Sequence, residues 1–263
     1  MPTPIPVPDA LRSAVAGYTW TPAADGESGG AVYRLDAPGR SALYLKSGAG
    51  RVADDIIAEF VRLEWLAGRL PVPAVRHFVR PPDEAYLLTT AVPGTSAYDC
   101  LVAHPERRTA IVGALARFLR AFHALPLAHC PFHGGHELRL GDARRNVDAG
   151  RVSGDDFGEA HAGWTADQVW DKMLALLPLP FERVVTHGDF SLGNVLFDGG
   201  GRVTGCIDVG RAGAADPYQD LAILWENLGK FGDDAQRALF REYGIAEPDE
   251  RKLHFHLCLD ELF

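Results

Sequence analysis

The most informative stretch of this chain is VVTHGDFSLGNVLFD, residues 184–198, which continues directly into GGGRVTGCIDVGR, residues 199–211. Short apolar runs on both sides of three consecutive glycines predict a strand, a loop and then a β-hairpin. If the hairpin turn centres on Gly201, Asn194 and Asp208 lie opposite one another. Opposed residues on antiparallel strands keep their Cβ atoms roughly 5 Å apart. This register therefore predicts an amide and a carboxylate that act together.

Three polar side chains of this segment suit one kind of chemistry. Oxygen atoms of Asn194 and Asp208 are ligands that a hard cation such as Mg²⁺ prefers. Asp189 lies just before the hairpin, where its carboxylate can accept a hydrogen bond from a hydroxyl group and orient it for attack. The pattern H-x-D-x-x-x-x-N followed by a second Asp is the arrangement used for phosphoryl transfer. In that arrangement His187 braces the loop and does not touch the phosphate.

Composition and charge restrict the kinds of protein that this chain can be. With 263 residues, of which 47% are hydrophobic, it is long enough for one large domain or two modest ones, and disorder is not expected. The formal net charge of −9 disfavours binding to nucleic acid or to an anionic membrane, and it suits a cationic ligand. No apolar run reaches the length of a membrane span, and nothing in the sequence predicts an obligate protein partner.

Two features predict a cytoplasmic location. The N-terminal segment, residues 1–17, has no basic region and has four prolines among its first eight residues, so it does not resemble a signal peptide. The cysteines are widely spaced and form no CxxC pair, which predicts reduced thiols. They are Cys100, Cys130, Cys206 and Cys258.

Strand patterns dominate the first part of the chain. Residues 31–35 and 42–46 are short, aromatic and β-branched stretches with a turn between them, and both are predicted to be strands. Between residues 54 and 70, apolar residues recur at helical spacing. This pattern predicts a helix that is capped by Asp54 or Asp55.

The pattern changes after Pro93-Gly94. Apolar residues then recur mainly at helical spacing, whereas residues 130–142, which contain two adjacent glycines, are predicted to form a loop. We therefore expect an α+β fold with two lobes. The β-rich N-lobe comprises residues 1–92, and the mainly helical C-lobe comprises residues 93–263.

The predicted N-lobe also contains groups that suit a phosphate ligand. DGESGG, residues 25–30, is a turn whose backbone N–H groups can cover phosphates. Lys46 ends a predicted strand and Glu59 lies on the next helix, where the two side chains can pair and hold the lysine at the phosphates. The alternative for this pair is an ordinary surface ion pair. The order of these elements along the chain, ahead of Asp189, favours the phosphate interpretation.

These motifs resemble those of the aminoglycoside phosphotransferases, in particular the type that modifies the 3′-hydroxyl. The resemblance covers nearly the whole chain and is densest in 184–198, in GCIDVGRAGAADPYQDLA (205–222) and in LDELF (259–263). It implies a two-lobed, protein-kinase-like fold. It also implies an enzyme that uses ATP and Mg²⁺ to phosphorylate an aminoglycoside antibiotic and so confers resistance.

The resemblance implies roles for individual residues in catalysis and in nucleotide binding. Asp189 is implied to be the catalytic aspartate, and Asn194 and Asp208 are implied to be Mg²⁺ ligands. Lys46 and Glu59 form the pair on the nucleotide side. The other implied residues are Ser28 at the β-phosphate, the Thr90 carbonyl and the Val92 N–H at the adenine edge, and Asp220 as the anchor of the catalytic loop.

An aminoglycoside carries several positive charges, so its binding site requires acidic groups, which form charge-assisted hydrogen bonds with amines. By the resemblance, Asp260, Glu261 and the α-carboxylate of Phe263 face these amines. Glu159 matches part of an acidic loop that folds over the acceptor, and Arg211 lies near the acceptor in relatives.

Two departures from relatives affect the range of acceptors. Glu159 is a lone acid where the loop of relatives is richer, and Glu226-Asn227 replaces an Arg-Asp pair. One alternative function is therefore a kinase for another small hydroxylated amine or antibiotic. A non-catalytic nucleotide-binding module is a second alternative. The simultaneous presence of four reactive positions argues against the second: Lys46, Asp189, Asn194 and Asp208.

Overall fold

The computed structural model describes residues 4–23 and 29–263, apart from the side chains of Asp156 and Glu159. The chain forms two compact units, each with its own core. Both units contain two separate segments of the chain. They are Met1–Gly94 with Thr204–Gly210, and Thr95–Val203 with Arg211–Phe263.

The first unit is built on a five-stranded antiparallel sheet. Its strands are β1 (Thr19–Pro22), β2 (Ala31–Asp36), β3 (Leu43–Ala49), β4 (Val75–Val79) and β5 (Glu84–Thr90). They are ordered β1-β2-β3-β5-β4 across the sheet. Two helices accompany them, α1 (Asp9–Val15) and α2 (Arg51–Leu66), and α2 packs against β3 and β5.

The alternation of buried and less buried side chains along β3 determines the direction in which Lys46 points. Leu43 and Leu45 are buried in a core cluster with Leu11 and Val15 of α1. Successive side chains of a strand point to opposite faces of the sheet. Lys46 therefore points away from this cluster, to the face on which α2 lies.

The predicted start of α2 was wrong. The helix begins at Arg51, so Asp54 and Asp55 lie inside it. Its N-cap residue is Gly50, so no side chain caps the helix. Gly50 has a positive φ of 56°, which glycine adopts easily because it lacks a Cβ atom. This turn leads from β3 into α2 without a separate loop, and the aspartates are not needed as caps.

The second unit is mainly helical. Its helices are α3 (Ala97–Ala103), α4 (Arg108–His123), α5 (His136–Asp148), α6 (Ala166–Leu174), α7 (Tyr218–Gly229), α8 (Asp233–Tyr243) and α9 (Glu250–Asp260). Two short antiparallel pairs accompany them, β6 (Thr95–Ser96) with β8 (Val195–Phe197) and β7 (Val184–Thr186) with β10 (Gly213–Ala215). A further strand, β9 (Val203–Cys206), begins in this unit and continues into the first.

The prediction of a loop over residues 130–142 was wrong from residue 136 onward, where α5 begins. The buried residues of α5 are Arg139, Ala143 and Asn146, and Leu140 and Val147 are partly buried against the same core. Because buried polar residues interrupt this apolar face, the helical period is weak in the sequence. Polar contacts also hold the helix in place. The Asn146 side chain donates to the Leu262 carbonyl oxygen at 3.0 Å.

The helices and the cysteines bear on two expectations from composition, the absence of a membrane span and the presence of reduced thiols. Among the helices of residues 4–23 and 29–263, none combines the length and the apolar character needed to cross a bilayer. All four cysteines are free, which agrees with the prediction of unpaired thiols. Cys206 and Cys258 are buried, whereas Cys100 and Cys130 are partly exposed.

A buried polar cluster lies between α7 and α9. The Nζ atom of Lys252 donates to Asp216 at 2.9 Å, and both side chains are almost fully buried. His256 is 2% exposed, and neither of its ring nitrogens has a hydrogen-bond partner in the described part of the chain. Burial, together with the positive charges of Arg139 and Lys252, lowers the pKa of His256 well below its ordinary value of 6.5.

We expect His256 to make the fold sensitive to mild acid. The unfolded chain takes up a proton at this residue below about pH 6.5, but the folded chain does not. The free energy of unfolding is therefore at its full value above that pH. It falls as the pH drops further, by on the order of 1 kcal/mol per pH unit for one such group.

Urea denaturation at several pH values checks this expectation. His256→Phe should flatten the dependence, with a residual slope from His136, whose pKa burial also lowers. His254→Phe, on the exposed face of the same helix, is the matched control. An unchanged slope in His256→Phe would show that the buried imidazole is not responsible.

Candidate active site

Lys46 forms the expected ion pair with Glu59. Its Nζ atom donates to Glu59 Oε2 at 2.7 Å, and it also contacts the carboxylate of Asp208. Burial disfavours the charged amine, but the negative charges of Glu59 and Asp208 outweigh burial and raise the pKa of Lys46 above its ordinary value. All three residues belong to the first unit, where Lys46 is a cation held between two carboxylates.

The backbone of Asp208 has an unusual conformation. Its φ of 58° lies in the left-handed region, and no other non-glycine residue in the described ranges has a positive φ. This conformation costs an L-residue roughly 1–2 kcal/mol. The segment is fixed nearby, because the Cys206 N–H donates to the Pro71 carbonyl oxygen at 3.0 Å and the Thr204 hydroxyl donates to that of Pro93 at 2.5 Å. These contacts hold the strained residue whose carboxylate meets Lys46.

The expected pairing of Asn194 with Asp208 across the hairpin is not found. β8 begins at Val195, after Asn194, and β9 ends at Cys206, two residues before Asp208. Because both residues lie outside the strands, the strand register does not determine their separation. They also belong to different units, and their joint role as metal ligands stays a prediction.

The loop between β7 and β8 brings together His187, Asp189 and Asn194. The side-chain amide of Asn194 donates to the Asp189 carbonyl oxygen at 3.0 Å and to its carboxylate at 3.2 Å. His187 is buried, its ring meets Phe122 and Phe190 edge-on, and its Nδ1 atom accepts the Asp189 N–H at 3.3 Å. His187 thus braces the loop internally, and Asn194 restrains the carboxylate of Asp189.

Asp220 anchors this loop through hydrogen bonds to its backbone. Its carboxylate is fully buried in the first turn of α7, and it accepts the N–H groups of His187 and Gly188, both at 2.8 Å. Gly188 has a φ of 90°, and a Cβ atom at this position would collide with the backbone of Arg211. The loop therefore requires a glycine at 188 and a hydrogen-bond acceptor at 220.

The residues predicted to meet adenine follow β5 in the first unit. Thr90 ends the strand, and it exchanges two hydrogen bonds of 2.9 Å with the backbone of Ala74. Val92 lies next to Gly205, where a Cβ atom would come within 3.0 Å of Val92 Cγ1. The contacts of Thr90 and Val92 with adenine stay predictions. Ser28 lies outside the described residues.

The end of α9 gathers several of the predicted acceptor residues. Asp260 lies 3.5 Å from the guanidinium group of Arg139 and 3.9 Å from that of Arg211. Both guanidinium groups also lie over the ring of Phe263, at 4.6 and 5.2 Å from its centroid. The sequence did not indicate Arg139, because it lies in the stretch interpreted as a loop.

Glu261 has partners within the protein. It accepts the Gly158 N–H at 3.0 Å and pairs with His161 Nδ1 at 2.6 Å. Burial, followed by the charges of Asp260 and Glu261, raises the pKa of the nearby Glu226 carboxyl. His161 was not predicted, although it is two residues from Glu159. The backbone of Glu159 begins a short 3₁₀ helix, and its side chain lies outside the described parts.

Known proteins that are similar to this chain in sequence are phosphotransferases. A model of the phosphotransferase enzyme family matches residues 19–256. An aminoglycoside 3′-phosphotransferase of Escherichia coli is 49% identical to this chain over 254 residues, which cover 96% of this chain and 93% of that protein.

Solved structures agree with the sequence comparisons. An aminoglycoside-3′-phosphotransferase of type VIII superposes with a TM-score of 0.86 at 36% identity, covering 97% of both chains. A Streptomyces rimosus aminoglycoside phosphotransferase in complex with ADP and streptomycin superposes with a TM-score of 0.81 at 30% identity, covering 96% of this chain and 95% of that one. The prediction of a two-lobed, kinase-like α+β fold is confirmed.

We expect Gly188→Ala to destabilise the second unit. The substitution forces a positive φ on alanine and places its Cβ atom against the Arg211 backbone, so the free energy of unfolding should fall by at least about 2 kcal/mol. Urea denaturation measures the loss. Gly193→Ala is the matched control, because the nearest atom to its new Cβ is the Ser191 hydroxyl at 3.8 Å. Equal effects of the two substitutions would contradict this account of Gly188.

Proposed function

This chain belongs to the phosphotransferase enzyme family, and from that premise we propose that it transfers the γ-phosphoryl group of ATP to the 3′-hydroxyl of an aminoglycoside antibiotic and so confers resistance. The contact that best supports the proposal is the one between Asn194 and the Asp189 carboxylate at 3.2 Å. It holds one carboxylate ready on a loop that the buried Asp220 fixes. Similarity to proteins that act on aminoglycosides supports the choice of acceptor.

Asp189 is the catalytic residue of the proposal. Its carboxylate accepts a hydrogen bond from the 3′-hydroxyl and aims the oxygen at the γ-phosphorus. It takes up the proton as the new P–O bond forms, while the bond from the γ-phosphorus to the β,γ-bridging oxygen breaks and ADP leaves. Positioning and electrostatic stabilisation together supply most of the rate enhancement in such reactions. Two hydrogen bonds serve to position Asp189 before the acceptor arrives. Asn194 donates to the carboxylate, and His187 accepts the backbone N–H of Asp189.

Lys46 is the residue that holds the triphosphate. Its ammonium group is charged, and Glu59 fixes it at 2.7 Å, so it presents a positioned cation to the α- and β-phosphates. Its second contact, with Asp208, is an interaction that phosphate oxygens replace or share when ATP binds. In the same proposal Thr90 and Val92 receive the adenine edge and Ser28 approaches the β-phosphate.

The oxygen donors of Asn194 and Asp208 fit Mg²⁺. The amide nitrogen of Asn194 is engaged with Asp189, which leaves the amide oxygen to a cation, and Asp208 offers a carboxylate that is 44% exposed. Asn194 and Asp208 would hold the ion, which would supply positive charge to offset the negative charge that develops during transfer. The two side chains supply the hard, oxygen-only ligands that this ion prefers over the nitrogen and sulfur groups of the chain.

The acceptor is proposed to bind at the end of α9. Asp260 and Glu261 supply negative charge for the ammonium groups of the drug, Phe263 contributes its ring and α-carboxylate, and Arg211 and Glu159 complete the surroundings. Asp260 is 30% exposed and is held by guanidinium groups, so it is an ordered carboxylate that a ligand can reach. A cytoplasmic location is part of the proposal, supported by the free cysteines.

Asp189→Asn tests the catalytic role. The amide keeps the size of the side chain but is a far weaker proton acceptor, so turnover should fall by at least about 100-fold. Affinity for ATP should stay unchanged, because Asp189 does not bind the nucleotide in this proposal. ADP release in the presence of kanamycin and ATP titration in its absence measure the two quantities. Asp198→Asn, in the exposed hairpin turn, controls for loss of a carboxylate, and full turnover by Asp189→Asn would refute the assignment.

Asp260→Asn tests the acceptor site. Removing this charge should raise the KM for kanamycin by at least about tenfold, the effect of losing one charge-assisted hydrogen bond. The KM for ATP should change by less than about twofold, since the nucleotide contacts are elsewhere. Asp234→Asn, on the exposed face of α8, is the matched control. An equal rise in both KM values would count against an acceptor site at the end of α9.

A further inference from the structure

The buried carboxylate of Asp220 accepts a third hydrogen bond, from a side chain that the proposed reaction does not use. His123, the last residue of α4, approaches Asp220 Oδ2 with its Nε2 atom at 3.0 Å. The other ring nitrogen, Nδ1, lies 2.7 Å from the hydroxyl of Tyr243, the last residue of α8. The ends of two helices therefore meet beneath the loop that carries Asp189.

The direction of the two hydrogen bonds follows from the groups involved. An ionised carboxylate only accepts, so Nε2 of His123 must carry a proton and donate to Asp220. In the neutral ring Nδ1 is then an acceptor, and the Tyr243 hydroxyl donates to it. Burial and the negative charge of Asp220 raise the pKa of Tyr243 to about 12, so the phenol keeps its proton.

The third donor limits how Asp220 can rotate. His187 N–H and His123 Nε2 both bind Oδ2, while Gly188 N–H binds Oδ1. Without His123, the hydrogen bonds that the described residues donate to this carboxylate would all come from the loop that it fixes. The ring contact between His123 and Tyr243, with centroids 5.7 Å apart, restrains the donor in turn. Residues at the ends of α4 and α8 thus help to set the orientation of the carboxylate.

We propose that His123 and Tyr243 are positioning residues for phosphoryl transfer, because together they orient Asp220 and thereby the loop that presents Asp189. The inference rests on the proposed role of Asp189. Neither residue touches the substrate in this scheme. Their contribution is to geometry, and misplacement of a reacting group by about 1 Å can cost on the order of 100-fold in rate.

Replacing His123 by Gln or by Asn distinguishes an effect on the orientation of Asp220 from an effect on packing. Both substitutions introduce a side-chain amide, but the Gln side chain is longer. The amide nitrogen of Gln reaches about as far as Nε2 of histidine and can donate to Asp220, whereas that of Asn corresponds to Nδ1 and cannot. His123→Asn should lower kcat by at least about tenfold and leave both KM values within about twofold, while His123→Gln should recover kcat to within about threefold of the unaltered enzyme.

Tyr243→Phe should lower kcat by about threefold, and it should add little to the loss in His123→Asn, because the two residues act on one carboxylate. Tyr218→Phe is the matched control. It also removes a tyrosine hydroxyl that makes one hydrogen bond, to the Asp249 N–H at 2.8 Å, but that hydroxyl does not contact Asp220. Its kcat should stay within about twofold of the unaltered enzyme.

Hydrogen exchange at the His187 and Gly188 amides gives a readout that needs no activity. Exchange should be faster in His123→Asn by at least about tenfold and near the unaltered rate in His123→Gln. Equal kcat losses in the Gln and Asn variants, or unaltered kcat and exchange in His123→Asn, would overturn the inference. If the unaltered enzyme phosphorylates no aminoglycoside, the proposed function fails, and the exchange rates still decide whether His123 orders the loop.

Discussion

The fixed position of the Asp189 loop depends on one buried charge, the carboxylate of Asp220. Removing a carboxylate from water costs several kcal/mol unless hydrogen-bond donors replace the solvent. Two of the replacing donors are backbone N–H groups of the loop itself, those of His187 and Gly188. The carboxylate and the loop therefore stabilise each other, and α7, which carries Asp220, sets the geometry of a segment that has almost no regular secondary structure.

Lys46 makes contacts that differ from those of Asp220, because one of the carboxylates involved is exposed to solvent. Its partners Glu59 and Asp208 keep it protonated, but the Asp208 side chain is 44% exposed, whereas Asp220 is fully buried. An exposed carboxylate loses little when a contact is exchanged, because water or a ligand takes the vacated position. A buried one does not exchange without loss of stability. Asp220 is therefore a permanent part of the loop structure, whereas Asp208 can exchange its contact with Lys46 for one with the nucleotide that is proposed to bind there.

Sequence reasoning succeeded where function depends on short-range spacing. The contact of Asp189 with Asn194 lies within six residues, and the alternation of β3 and the helical period of α2 bring Lys46 to Glu59. It failed where tertiary contacts replace periodicity. The helix of Arg139 buries two polar residues beside a narrow apolar face, so its helical period is weak and its pattern resembles a loop. The hairpin register failed for a related reason, because the strands end before the residues of interest and the strained backbone of Asp208 has no signature in sequence.

For the proposed acceptor site, the local arrangement of charge is a stronger reason to expect a polycation than the net charge of −9 is. Salt screens exposed charges beyond about 8 Å, so distant acids contribute little to a bound ligand. At the end of α9, Asp260 is balanced by Arg139 and Arg211, and this pairing orders the carboxylate before any ligand arrives. Glu226 is not balanced in this way, since burial and the charges of Asp260 and Glu261 raise its pKa. An ammonium group beside these acids relieves their repulsion, which a neutral sugar cannot do, and so the proposed site favours the charged acceptor.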